Sequence, residues 1–351
     1  MPIAPAQSAA SVVAYREEQR DRWDEYVRNH LESTFLHLTA WKRTLEREFG
    51  YESRYLVAEQ DGRIVGVLPL FLVSNWIVGR ALISTPFGIY GGILADDDTV
   101  YSALCQAACR MASDEQIQFL ELRERERVHS SDLQVKNLYV TFDLELPRTA
   151  EEMLQRIPRD VRNKIRKGMK SDLTSVVGRE HLDAFYEIYA HTVRRLGTPV
   201  FSRRYFQTLC DELGEAAEVL LILHGSRPVA AALCVHHRDT VTSYYAGSLP
   251  DSWPLAANNF LYWEILRRAC ERGIRCFDFG RSKLGTGAYL FKVQWRMRER
   301  PMPYQYYLVR RKSMPDFSPV NPRLKLATDV WKRIPLPLTK VVGPSLVRLF
   351  P

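Results

Sequence analysis

The chain has 351 residues, 46% of them hydrophobic and 26% charged, the balance of a soluble globular protein. That length exceeds one ordinary core and suits two domains of about 150 residues, while a net charge of +8 and a pI near 9.1 favour polyanions: nucleotides, RNA, anionic lipid heads or acidic glycans. The longest apolar runs, such as 64–73, fall far short of the ~20 residues that cross a bilayer, and Met1 to Ala14 shows no signal-peptide pattern. Six cysteines, at 105, 109, 210, 234, 270 and 276, include no C-x-x-C pair and sit in apolar runs, so they read as reduced core residues and argue against a metal site. The expected location is cytoplasmic, or peripheral at the inner face of a membrane.

Residues 1–16 read as a flexible start, followed by a charged segment from Glu17 to His30 with Trp23, Tyr26 and Val27 at helical spacing. Thr39 to Phe49 is a second helix, carrying Trp41, Leu45 and Phe49 on one face and stopped by Gly50. Two strands, Tyr55 to Ala58 and Ile64 to Val73, flank a hairpin turn at Gln60-Asp61-Gly62. A third strand at Ala81 to Ser84, a flexible or strained loop over Pro86, Gly88, Gly91 and Gly92, a helix from Thr99 to Ser113 and a strand from Ile117 to Leu122 complete this half.

The second half repeats that order. Val219 to Leu223, a turn at Gly225-Ser226, Val229 to His237 and Thr240 to Ala246 give three strands, followed by a helix from Leu255 to Glu271 and a strand at 276–279. The spacing from first turn to closing acidic strand is 59 positions between Gly62 and Glu121 and 53 between Gly225 and Asp278. Two copies of one α/β unit follow, with expected domains at 17–147 and 148–312.

Between the copies, Gln155 to Lys170 reads as a helix with Ile157, Val161, Ile165 and Met169 on one stripe. Arg159, Arg162, Lys164, Arg166 and Lys167 occupy the rest with Asp160 as their one acidic neighbour, so the face is either merely solvated or made for a phosphate-bearing or RNA partner. Helices are expected over Glu180 to Leu196 and Phe201 to Leu213. Arg203 and Arg204 fall in the first turn of the latter, where the helix dipole disfavours cations and an anion nearby would explain them. Asn258 and Asn259 stand near the start of the 255–271 helix, as ordinary caps or as part of an anion site. A tyrosine-rich strand runs from Met302 to Val309. The tail at 313–351 is basic and proline-containing, and either packs on the body or lies on a membrane surface.

The working part is expected at Cys276 to Lys292. A strand ends at Gly280 and enters a loop with Arg281, Ser282, Lys283, Gly285 and Gly287, where uncovered N–H groups and cations can approach an anion; an ordinary turn with solvated lysines is the plain alternative. No G-x-S-x-G elbow, H-E-x-x-H helix, P-loop or dinucleotide fingerprint is present, and His236-His237 reads as core. An anion-binding cleft without an evident nucleophile suits a transferase that aligns two substrates and stabilises an oxyanion.

The segments "IPRDVRNKIRKGMKSDL", "YYAGSLPDSWPLAANNFLYWEILRRACERGIRCFDFGRSKLGTGAYLFK" and "YLVAEQDGRIVGVLPLFLV…STPFGIYGGIL" resemble the FemAB-type peptidoglycan-bridge aminoacyltransferases, most closely the branch associated with PEP-CTERM sorting and exopolysaccharide loci. The resemblance spans about 20–350 and is most specific over Phe277 to Lys292. It implies an α+β (mixed α/β) chain of tandem GNAT-like acyltransferase domains, each a mostly antiparallel sheet flanked by helices. It also implies aminoacyl-tRNA or acyl-CoA as donor, no permanently bound cofactor, a small-molecule or lipid-linked envelope precursor as acceptor, tRNA as a partner and no DNA. Carried onto this chain, Phe291 and Lys292 position the reactive carbonyl and support its developing charge, with Asp278 as a candidate base. Asn258, Asn259 and Tyr245 fall in the donor region; relatives hold a nucleotide diphosphate with a basic residue shortly after an N-terminal Trp, whereas here Lys42 follows Trp41 directly, and Arg203 or Arg204 is a second such cation. Trp295-Arg296 replaces the aromatic-Gly pair of relatives, and no long heptad arm for tRNA is visible, which leaves acyl-CoA open. A non-catalytic module that binds RNA, nucleotide sugar or envelope glycan is the competing class.

Overall fold

The computed structural model describes residues 10–125, 133–315 and 322–351. Two compact units divide the chain: the first takes its residues from Met1–Asn137, Met302–Pro315 and Pro351, the second from Leu138–Pro301 and Asp316–Phe350.

The first unit begins with β1 (Ser11–Ala14), α1 (Arg20–Asn29), α2 (Thr39–Phe49) and β2 (Glu52–Ser53), then β3 (Leu56–Gln60), β4 (Arg63–Leu68), β5 (Phe71–Asn75) and β6 (Gly79–Ile83). It continues with β7 (Leu94–Ala95), α3 (Asp98–Asp114) and β8 (Phe119–Arg123). Ser11–Ala14, expected within a flexible start, is an edge strand antiparallel to β3, with Val12 packed on the core. The hairpin turn is where the sequence places it, with Asp61 and Gly62 both at positive φ (49° and 75°) as a tight two-residue connection requires. The single strand expected from Ile64 to Val73 is broken: β4 joins β1, β3 and β7, whereas β5 joins β2, β6 and β8 in a second sheet. Pro69 lies between them and has no N–H to continue the ladder. α3 buries Val100, Tyr101, Leu104 and Ala108 against β4, and a Cβ at Gly66 would come within 2.6 Å of Val100 Cγ1.

The second unit holds β9 (Gln134–Glu145), α4 (Ala150–Arg156), α5 (Arg159–Met169), β10 (Leu173–Val177), α6 (Leu182–Leu196) and α7 (Arg203–Leu213). Then come β11 (Ala217–His224), β12 (Arg227–His237), β13 (Thr240–Ser248), α8 (Ala257–Glu271), β14 (Cys276–Asp278), β15 (Ser282–Lys283) and α9 (Gly287–Val293). β16 (Arg298–Leu308) leaves this unit and pairs through Tyr304–Leu308 with β8 of the first, after which α10 (Pro322–Trp331) and α11 (Leu336–Val347) close the chain. The sheet runs β10-β11-β12-β13-β14-β9. Leu220, Ile222, Ala230, Ala232 and Cys234 face α4, α5 and α8 in one core; their buried neighbours Val219, Leu221, Leu233 and Val235 point to the other side, where α6 crosses β12 and β13. The helix expected from Gln155 to Lys170 is two helices, because the residue before Pro158 is pushed out of helical geometry: Ile157 is extended, with ψ of 136°. Ile157, Val161 and Ile165 are buried as expected, but Met169 is 42% exposed and Gly168 takes the inward position.

Both units share one order. An antiparallel meander leads through a helix into a strand parallel to the meander's last member, β6 with β8 and β13 with β14. Among the described residues no helix is long and apolar enough to cross a membrane.

Candidate functional site

The parallel pairing of β13 with β14 lasts three residues, Thr240↔Cys276, Val241↔Phe277 and Thr242↔Asp278. β13 then runs on to Ser248, while the chain after Asp278 turns to the opposite neighbour: Phe279 N donates to Phe142 O at 2.8 Å, and Ser282 and Lys283 pair with Val140 and Tyr139. The strands part, and among the described residues β13 beyond Thr242 has no strand beside it on that edge. The connection through α8 puts the start of that helix at the same end of the sheet, because a β-α-β crossover begins where the first strand ends.

That helix start carries no side-chain cap. Its N-cap is Ala256, held at φ 57°, so first-turn N–H groups have no side-chain acceptor. Asn259 is 7% exposed and its Nδ2 has no hydrogen-bond partner. A Cβ at Gly168 would lie 2.8 Å from Phe260 Cβ, so the C-terminal end of α5 is pressed against the first turn of α8. Beside this contact in sequence, Arg166 and Lys167 are exposed and, among the described residues, unpaired, as is Arg159 at the other end of α5. Arg162 is differently engaged, donating to Leu154 O and to Gln155 O, and Lys164 donates to Gln294 Oε1 at 3.0 Å. The expected polyanion face thus narrows to Arg159, Arg166 and Lys167. Gly168→Leu should push the two helices apart and destabilise the fold by about 1–3 kcal/mol, read from a denaturant midpoint. An unchanged midpoint would show that this contact does not hold α5.

Around the turn after β14 lies a buried charged pair. Asp278 is 2% exposed, and its Oδ1 accepts from Gly280 N at 2.8 Å and Thr141 Oγ1 at 3.1 Å. Burial pushes this carboxyl up to about 6, against the pull of the Gly280 N–H and the Lys292 ammonium. Lys292, 8% exposed, donates to the carbonyls of Phe279 (2.6 Å), Gly280 (2.8 Å) and Arg281 (3.2 Å), and burial pushes it down to about 7 although Asp278 opposes this. Lys292 thus has its donors on the backbone carbonyls of the 279–281 turn, which it ties together. Asp278 Oδ1 likewise has its partners within the protein.

The remaining expected residues divide between open and packed surroundings. A Cβ at Gly285 or Gly287 would meet nothing within 4 Å, so the glycine loop borders open space. Arg281 lies 4.6 Å over the Tyr139 ring, Ser282 is 4% exposed with an unpartnered Oγ, and Lys283 is half-buried. Phe291 packs on Phe279 and Tyr262, and Tyr245 sits among Tyr189, Phe201 and Phe206. Asn258 is half-buried beside Asn259. Arg203 pairs with Asp183 and Ser202 caps the helix, so these neighbours explain a cation in that first turn; Arg204 is exposed. Lys42 is 9% exposed and pairs with Glu46 (3.0 Å) and Glu17 (3.4 Å).

Sequence reasoning overlooked β9, which supplies Tyr139, Thr141 and Asp143; the last pairs with Arg300. The alternation of Val140, Phe142 and Leu144 was its available signal. In the first unit the corresponding gap beyond β6 and β8 is filled. Arg123 N donates to Ser84 Oγ (3.0 Å), its guanidinium to Thr85 O (2.8 Å) and Gly88 O (3.0 Å), and Gly91 N to Arg123 O (3.0 Å). The loop expected to be flexible or strained is packed, with Phe87 held at φ 63°.

The model of the acetyltransferase (GNAT) domain family matches residues 155–293. The matched stretch lies within the second unit, which is thus similar to a GNAT domain. Its parted parallel strands lie inside the matched stretch, and the whole chain has the tandem GNAT-like, mostly antiparallel fold class that the sequence implied. Among solved structures it is similar to FemX at 16% identity and a TM-score of 0.66, with 86% of this chain and 98% of that one covered. It is similar also to the C-terminal domain of a putative lysylphosphatidylglycerol synthetase from Agrobacterium fabrum (14% identity, TM-score 0.56, 83% and 92% covered). L-PGS from Bacillus licheniformis is a third such structure (13%, 0.53, 84% and 97%). At these identities the likeness is one of fold. No curated protein matches the chain.

Proposed function

We propose that the GNAT-like second unit catalyses transfer of an acyl or aminoacyl group to an amine of a cell-envelope precursor, forming an amide. The observation that carries the reading is the parting of β14 from β13 after three pairs, followed by the start of α8 without a side-chain cap. The donor's phosphates take the helix start, Asn259 Nδ2 and the Arg166–Lys167 end of α5; its carbonyl lies along the unpaired edge of β13. The acceptor amine attacks that carbonyl, backbone N–H groups of the edge stabilise the oxyanion, and collapse expels the thiol of acyl-CoA or the ribose hydroxyl of aminoacyl-tRNA, which takes the amine's proton. The resemblance to FemAB-type enzymes and the fold shared with FemX support an envelope acceptor.

The test is transfer from acyl-CoA and from aminoacyl-tRNA to amine-bearing precursors. Replacing Arg166 and Lys167 together by alanine should raise donor KM about 10-fold and flatten its salt dependence, since phosphate contacts release counterions. Equal KM and salt slope would take α5 out of the donor site. The saturated donors of Lys292 favour one competing reading, a non-catalytic polyanion-binding module. Steeply salt-dependent RNA or nucleotide binding without turnover on either donor would establish it.

A further inference from the structure

The two closing helices settle onto the second unit by one face only. On α11, Thr339, Gly343 and Val347, spaced four apart, are buried; a Cβ at Gly343 would stand 2.6 Å from Val200 O, and Lys340 pairs with Glu187 of α6. α10 is anchored through Trp331, whose Nε1 donates to Thr198 O at 3.0 Å, and Arg194 Nε reaches Ile334 O between the helices.

The opposite faces are apolar too. Leu338, Val341 and Val342 fall at i, i+3, i+4 on α11 and are 55%, 75% and 47% exposed; Leu326 and Val330, one turn apart on α10, are 76% and 52% exposed. A helix with apolar residues on all sides belongs in a buried place, so the outer stripes call for a cover. Charge selects it. Residues 322–351 contain six cations (Arg323, Lys325, Lys332, Arg333, Lys340, Arg348) against one acid, Asp329, which lies 3.7 Å from Lys332; Lys332 and Arg333 are exposed in the connection between the two stripes. Apolar side chains that can enter the acyl boundary, flanked by cations that meet headgroups, form the two-signal combination that holds a protein on an anionic bilayer. A second copy of the chain would bring the same positive charge to itself.

We infer that the outer face of α10 and α11 docks the protein on an anionic lipid surface. This goes beyond the transfer reaction and is read without turnover. Sedimentation with phosphatidylcholine vesicles containing phosphatidylglycerol should carry the full chain down, with at least about 10-fold weaker binding to phosphatidylcholine alone. L338D/V341D, on exposed positions, should keep the melting transition and lose vesicle binding, and K332A/R333A should weaken it and reduce its salt sensitivity. Absence of sedimentation with the anionic vesicles, or sedimentation undiminished in L338D/V341D, overturns the inference. So does a concentration-dependent dimer of the wild-type chain that L338D/V341D abolishes, since the stripes would then cover one another.

Discussion

Replacing Lys292 by methionine is expected to slow transfer about 10²-fold and to lower folding stability by about 2–4 kcal/mol. Methionine keeps much of the stem's volume but removes the donor to the carbonyls of Phe279, Gly280 and Arg281, which lie in a buried turn. Buried acceptors without partners are costly, and the turn would relax toward β13, where the carbonyl of the donor must fit. Both readouts are needed: turnover and a denaturant melt. Retained turnover with lost stability would leave Lys292 a structural residue alone, and retained stability would refute the hydrogen-bond account. The ammonium also has a pH signature. Its folded value near 7 lies below the ordinary 10.5, so between these the unfolded chain binds the extra proton and stability contributed here rises with pH. That rise should vanish in the methionine variant.

Asp278→Ala should destabilise the protein by about 2–4 kcal/mol, because it strands the Gly280 N–H and the Thr141 hydroxyl in a buried place. Asp278→Asn retains an acceptor oxygen and should spare most of that loss. The sign of its pH effect is opposite to that of Lys292. The folded value of about 6 lies above the ordinary 3.8, so the folded chain holds the proton across that window and stability contributed by Asp278 falls as pH rises through it. Urea melts from pH 4 to 6 should show this slope in the parent and not in the asparagine variant. A common slope in both would place its origin elsewhere.

The residues of the site were legible to different depths. The strand-glycine-loop run after Cys276 and the Asn258-Asn259 helix start could be located because turn glycines and helix starts are written in adjacent residues. What those side chains touch was not. Lys292 and Lys42 are both lysines on amphipathic helices, yet one caps three carbonyls and the other pairs with two glutamates. Arg203 was read as answering an anion because its partner Asp183, 20 positions earlier, is invisible to helix-dipole reasoning. β9 was overlooked although Ser130-Ser131-Asp132 and Pro147 bracket its alternating residues in the sequence.

By itself the sequence determined the local elements, the tight turn at Asp61-Gly62, the repeated order of strands and helices and the cationic character of α5, all of which depend on periodicity and on neighbours within a few positions. Tertiary structure alone decided that β13 and β14 part after three pairs, that the matching gap in the first unit is filled by Arg123, that β16 returns to β8, and that α11 hides one apolar face while exposing another. These outcomes depend on which distant segment supplies the next hydrogen-bond partner or covering side chain. That choice is made by packing the whole chain, and no short stretch of residues encodes it.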